Sequence, residues 1–198
     1  MPVIVVGGNA RNVGKTSVVA GLIGALREYS WTAIKITPHR HESADPVGKW
    51  NVVKETDPIG GSDTSRFLAA GAERAYLVVA EPDQMDEAMA AIRKVLADSK
   101  YAIVESNSIM RFLQPDLYLP VIDPTVEDFK ASAKRFFDRA DAVIMHRMSR
   151  SLDTEQTIEM PAAFADRPIF LIEPPRYVTP EIVAFVRKAL SRRGVVSA

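Results

Sequence analysis

Residues 7 to 17 read Gly-Gly-Asn-Ala-Arg-Asn-Val-Gly-Lys-Thr-Ser, and those residue types in that order can do phosphate chemistry. Backbone amides in a glycine-bearing turn solvate phosphate oxygens, a lysine ammonium meets the terminal phosphates, and a threonine hydroxyl ligates magnesium. This makes Gly8, Asn9, Arg11, Asn12, Val13, Gly14, Lys15, Thr16 and Ser17 the candidate nucleotide contacts, with Gly14, Lys15 and Thr16 at their centre. The usual loop places four residues between its outer glycines, whereas Gly8 and Gly14 enclose five; either Asn9 takes the first glycine's place or the loop is longer. The expected ligand is magnesium with a nucleoside triphosphate, and the sequence does not choose ATP over GTP. No Asn-Lys-x-Asp segment that would read guanine is present, and Ala10 stands where partition-type ATPases carry an extra lysine.

Other residues could join that chemistry. Glu105 follows an apolar run at the carboxyl end of an expected strand, where open α/β sheets bind ligands, so it could hold magnesium through water or orient an attacking group. Lys35 lies near the end of another run and could neutralise a phosphate or carboxylate, with Arg11 and Arg66 as weaker candidates for that role. Asp63 is either a second metal-associated acid or a helix cap. The candidate catalytic set is therefore Lys15, Lys35 and Glu105, and the candidate metal set is Thr16, Asp63 and Glu105. His39, His41, Glu42 and Asp45 lack the spacing and third ligand of a zinc site. His146 reads as an edge or buried histidine more than a base contact. Phe112, Tyr118, Phe129, Phe136 and Phe137 read as core or interface, because no basic residues interleave them as a base-stacking platform would need.

Such residues need a frame. Apolar runs at Val3 to Val6, Ala33 to Ile36, Tyr76 to Val79, Ala102 to Val104, Ala142 to Met145 and Ile169 to Ile172 suit strands covered on both faces. Between them, apolar spacing predicts helices over Lys15 to Tyr29, Asp83 to Ala97, Pro124 to Asp138 and Thr179 to Arg192, with Asp83 placed to cap its helix. The alternation implies right-handed βαβ crossovers and predicts a three-layer α/β/α P-loop fold with a mostly parallel sheet, in one domain spanning 1–198. Prolines and glycines break the pattern from Pro38 to Ser62, which predicts a long loop serving as lid or insertion, with a hairpin around Trp50 to Lys54.

Composition sets limits around this frame. The 198 residues are 47% hydrophobic and carry 25 basic and 25 acidic side chains, so no net field draws the chain to nucleic acid or anionic lipid. Zero cysteines exclude disulfides, thiolate metal sites and cysteine nucleophiles, and fit a reducing, cytoplasmic setting. No apolar run approaches the roughly 20 residues needed to span a bilayer, and the N-terminus lacks the basic region of a signal peptide.

The five-residue spacing before Gly14-Lys15-Thr16 resembles the loop of dethiobiotin synthetase. A wider resemblance covers about residues 3 to 106. Lys35 ends a strand, His39 and His41 follow, Gly61-Ser62-Asp63-Thr64-Ser65-Arg66 leads to Ala70-Gly71-Ala72, and Tyr101 to Val104 ends in Glu105. This is similar to the nucleotide-binding protein of molybdopterin-guanine dinucleotide biosynthesis, the MobB family. That family has Gly-Lys-Asp-Ser where Ser62 replaces the lysine, a glycine where this chain has Ser106, and a histidine at Ile36. The resemblance implies a dimeric, GTP-binding accessory protein that assists a nucleotidyltransferase. The dethiobiotin-synthetase spacing implies an alternative, an ATP-dependent ligase or small-molecule kinase in which Lys35 and the 38–62 loop grip a second substrate.

Overall fold

The computed structural model describes residues 1–38, 50–126, 131–147 and 164–194. Strand β1 (Val3–Gly8) leads into α1 (Lys15–Ala25) and β2 (Trp31–Thr37). Then come β3 (Trp50–Glu55), α2 (Asp63–Ala70), β4 (Arg74–Ala80), α3 (Met85–Ala97) and β5 (Tyr101–Glu105). β6 (Leu117–Ile122), α4 (Ala131–Lys134), β7 (Val143–His146), β8 (Ile169–Ile172) and α5 (Pro180–Gly194) complete the described strands and α-helices. The strands form one sheet in the order β3-β4-β2-β5-β1-β6-β7-β8. β3 runs antiparallel to β4, and all other pairings are parallel.

Alternation of side chains along each strand splits the core into two layers. Ile4 and Val6 of β1 pack with Val18, Val19, Leu22 and Ile23 of α1 and with Ile182 and Val186 of α5. Val3 and Val5 point the other way, into a layer with Ala88, Met89 and Ile92 of α3 and with Phe136 and Phe137. α1 stops earlier than the expected Tyr29. Leu26 follows its last residue, donates its N–H to the Leu22 carbonyl, and takes the Trp31 indole N–H on its own carbonyl. From β1 the chain moves to β2 on one side and returns later to β6 on the other. The crevice this leaves at the carboxyl ends of the strands is where open α/β sheets place ligands.

Several expectations need correction. Trp50 to Lys54 is no self-contained hairpin: it lies in β3, laid against β4 with Trp50 opposite Ala80 and Glu55 opposite Ala75. The remainder of the expected lid falls partly on residues 39–49, with His39, His41, Glu42 and Asp45, outside the described residues. β6 was not anticipated, because Pro120 interrupts its apolar pattern. Pro120 is tolerated since the ladder to β7 begins only at Val121. The helix expected from Pro124 does not start there. Asp123 Oδ1 instead accepts both the backbone N–H and hydroxyl of Thr125 in a local turn, and among the described residues the helix covers only Ala131–Lys134, followed by a 3-10 turn at Phe137–Arg139. Asp83 does not cap α3: Gln84 takes that position without a side-chain cap, and Asp86 and Glu87 supply the first-turn acids.

Candidate functional site

The loop between β1 and α1 is bolted at its root by two amide side chains. Asn107, just past β5, accepts the Gly8 N–H at 2.9 Å and donates to the Gly8 carbonyl at 2.9 Å. Asn9, fully buried, donates to the Asp123 carbonyl at 2.8 Å and accepts the Asp123 N–H at 3.0 Å, clasping the end of β6. Gly7 must be glycine for this packing, since a Cβ there would lie 2.5 Å from Asn107 Oδ1 and 2.7 Å from the buried Tyr118 hydroxyl.

Farther along, Asn12 and Gly14 adopt left-handed backbone angles, with φ of 59° and 87°. Gly14 is the N-cap of α1 and has no side chain to cap its first turn, the end of a helix where an anion is favoured. The Tyr177 ring lies over Gly14, where a Cβ would come within 2.2 Å of its Cε1. His146 at the end of β7 has Nε2 2.9 Å from the Val13 carbonyl; because a carbonyl only accepts, that nitrogen carries the proton. Lys15 curls over the loop, its Nζ donating to the Ala10 carbonyl at 2.8 Å.

Lys35 does not end its strand as expected, since β2 runs on through Ile36 to Thr37 paired with β4; it lies two residues short of the end, as the register partner of Glu105 at the end of β5. Glu105 is 4% exposed, with Oε2 accepting the Thr16 hydroxyl at 2.8 Å and Oε1 accepting Lys35 Nζ at 2.9 Å. Lys35 Nζ also reaches Asp63 Oδ2 at 2.5 Å and Thr16 Oγ1 at 3.4 Å. Asp63 comes from the first turn of α2, which is capped by Ser62 accepting the Ser65 N–H, so the alternative reading of Asp63 as the cap is corrected. Arg66 on the next turn donates to Ser17 at 2.9 Å and lies 3.6 Å from Asp63 Oδ1.

Burial raises the proton affinity of Asp63, but the hydrogen bond and charge of Lys35, with Arg66 beyond, outweigh it and hold the carboxyl below its usual range. Burial alone would disfavour charge on Lys35, yet the two carboxylates hold its amine above its ordinary value. Under α2, Glu55 at the end of β3 gathers the hydroxyls of Ser62, Thr64 and Ser65 and the N–H groups of Thr56 and Asp57. This fixes the turn that delivers Asp63.

The structure therefore brings Thr16, Lys35, Asp63 and Glu105 within hydrogen-bonding reach of one another, with Arg66 and Ser17 at the rim. Arg11 is exposed on the loop, and Val13 is buried beneath it. The donors that could hold a metal are one hydroxyl and two carboxylates, an all-oxygen set that suits magnesium with part of its water retained. Among the described residues no three His, Cys, Asp or Glu side chains form a metal cluster. Asn107, Asp123 and Tyr177 escaped the sequence reading; only the position of Asn107, two residues past a strand-end acid, offered any signal.

No protein-family profile and no curated protein matches the sequence. Among solved structures, the chain is similar to LpxK from Aquifex aeolicus in complex with ATP, with TM-score 0.50 and 22% identity over 86% of this chain and 53% of that one. It is also similar to the signal recognition particle 54 kDa protein from Aeropyrum pernix K1 in complex with GDP, with TM-score 0.52 and 19% identity over 99% of this chain and 48% of that one. The chain thus spans about half the length of either protein. With its parallel sheet, glycine loop and flanking helices, it has the three-layer fold of the P-loop nucleoside triphosphatases.

Proposed function

We propose that the chain binds a magnesium nucleoside triphosphate, ATP or GTP, along residues 8 to 17 and hydrolyses it slowly as a MobB-like accessory protein in cofactor biosynthesis. One observation carries the nucleotide reading: the Thr16 hydroxyl at the helix start is hydrogen-bonded to the buried Glu105, in a helix whose N-cap, Gly14, brings no side-chain acceptor of its own. Lys15 would leave the Ala10 carbonyl for the terminal phosphates, an exchange of a neutral acceptor for a charged one. Thr16, Glu105 and Asp63 would hold magnesium, which supplies neutralising charge to the phosphate oxygens. Lys35 and Arg66 would add positive charge, so that turnover rests on positioning and electrostatics. The MobB-like role rests on the sequence resemblance. Its Lys35, Asp63 and Glu105 positions form one hydrogen-bonded cluster here.

Calorimetry with magnesium-ATP and magnesium-GTP tests the reading. Lys15→Ala should weaken the preferred nucleotide by about 1.5–3 kcal/mol, the range for a hydrogen bond to a charged group. Equal affinity for a folded Lys15→Ala variant would remove the loop assignment. Light scattering and a partner pull-down with a nucleotidyltransferase address the implied homodimer and partner.

A further inference from the structure

We propose that Lys35 is the resident cation of the metal site in the nucleotide-free protein, and that it must leave as magnesium enters. The inference rests on Thr16, Asp63 and Glu105 being the metal side of a nucleotide site. An ammonium has three hydrogens to place. Lys35 directs them at Asp63 Oδ2 (2.5 Å), Glu105 Oε1 (2.9 Å) and Thr16 Oγ1 (3.4 Å), the same three side chains assigned to the metal.

The lysine is delivered there by the fold. Its backbone is fixed in β2 opposite Glu105 in β5, while α2 brings Asp63 to the other side of its ammonium. The side chain is 17% exposed and that of Glu105 4%, so little water screens this pair, while Asp63, at 36%, forms the wetter side of the cluster. Magnesium draws its direct oxygen ligands to about 2.1 Å and reaches others through retained water; either way the hydrated dication needs the space the ammonium fills, and two cations cannot both be centred on one set of oxygens. Bare metal must therefore displace an ion pair with no new anion to receive the lysine. A nucleotide changes that balance, because its phosphates offer Lys35 a second anionic partner next to the loop. Metal entry is thereby tied to nucleotide entry, and Lys35 is a positioning residue for both.

Manganese, a paramagnetic stand-in for magnesium, tests this on the full-length, nucleotide-free chain by electron paramagnetic resonance titration. Lys35→Met should bind manganese at least about tenfold tighter than the parent. Lys35→Arg, which keeps the charge, should stay close to the parent, and adding Glu105→Gln to Lys35→Met should abolish the gain. If Lys35→Met does not fold, Lys35→Gln takes its place with the same expectation. Manganese binding by either neutral variant no tighter than by the parent overturns the proposal. Nucleotide calorimetry on the same parent sample separates the two failures. A parent that binds neither ATP nor GTP refutes the nucleotide reading, whereas intact nucleotide binding with unchanged manganese affinity refutes only the role of Lys35.

Discussion

Asn107→Ala removes the side chain that accepts the Gly8 N–H and donates to the Gly8 carbonyl, each at 2.9 Å. Gly8 is buried, so both of its polar groups lose their partner where bulk solvent does not reach directly. Leaving one buried group unpaired costs about 1–3 kcal/mol. Two such groups set an upper range of about 2–6 kcal/mol, and water entering the space left by the partly exposed amide brings the expected loss to about 2–4 kcal/mol. Urea unfolding of parent and variant, analysed by linear extrapolation, measures it. Asn107→Asp keeps an acceptor for Gly8 N–H but loses the donor to its carbonyl, so it should fall between the two. Nucleotide affinity should drop with stability, because the loop root is no longer fixed. An Asn107→Ala protein within about 0.5 kcal/mol of the parent would show that the clasp does not hold the loop, and the reasoning would fail.

Glu105→Gln and Asp63→Asn should lower steady-state hydrolysis more than nucleotide affinity, since charge placed on the reacting phosphates matters most as the transition state forms. Unchanged turnover and affinity in both would remove the two acids from the site. Burial raises the proton affinity of Glu55, but its backbone and hydroxyl hydrogen bonds outweigh that and lower its carboxyl to about 2. A depressed folded value means that this stabilisation is complete above the unfolded value of about 4.3 and is lost as pH falls toward the folded one. Discounted for its partial exposure, the contribution should be about 1–2 kcal/mol. Stability curves at pH 2 to 6 should therefore be flatter for Glu55→Gln than for the parent, and parallel curves would contradict the assignment.

What could be read from the sequence was mainly local. Gly14, Lys15 and Thr16 sit between an apolar run and an amphipathic stretch, so their strand–loop–helix setting follows from neighbours in the chain. Glu105 was visible as a charge closing an apolar run and Lys35 as a charge set late within one, which places both toward the ligand-facing rim of a parallel sheet. That their side chains meet was not visible, because it depends on β2 and β5 being adjacent in space. Extended structure at Trp50 to Lys54 was anticipated as a hairpin, but its pairing with β4 was not, and β6 was hidden by Pro120. The clasps of Asn107 and Asn9, and the Tyr177 ring over Gly14, rest on contacts that no periodicity encodes. Asp63 was ambiguous because Ser62 and Asp63 are both good cap residues, and only the Ser65 N–H decides between them.

Those same contacts give the phosphate loop an unusual order of birth. Its hydrogen bonds reach Asn107 over a separation of 99 residues, Asp123 over 114 and His146 over 133, and Tyr177 covers it from still farther along the chain. Contacts this distant carry a high loop-closure cost and form late in folding. A nascent chain that has emerged only through α1 holds every residue of the motif, yet none of the distant partners that Asn9, Gly8 and Val13 bond to. The β1–α1 loop is thus made well before its distant partners and is among the last segments to be fastened in place.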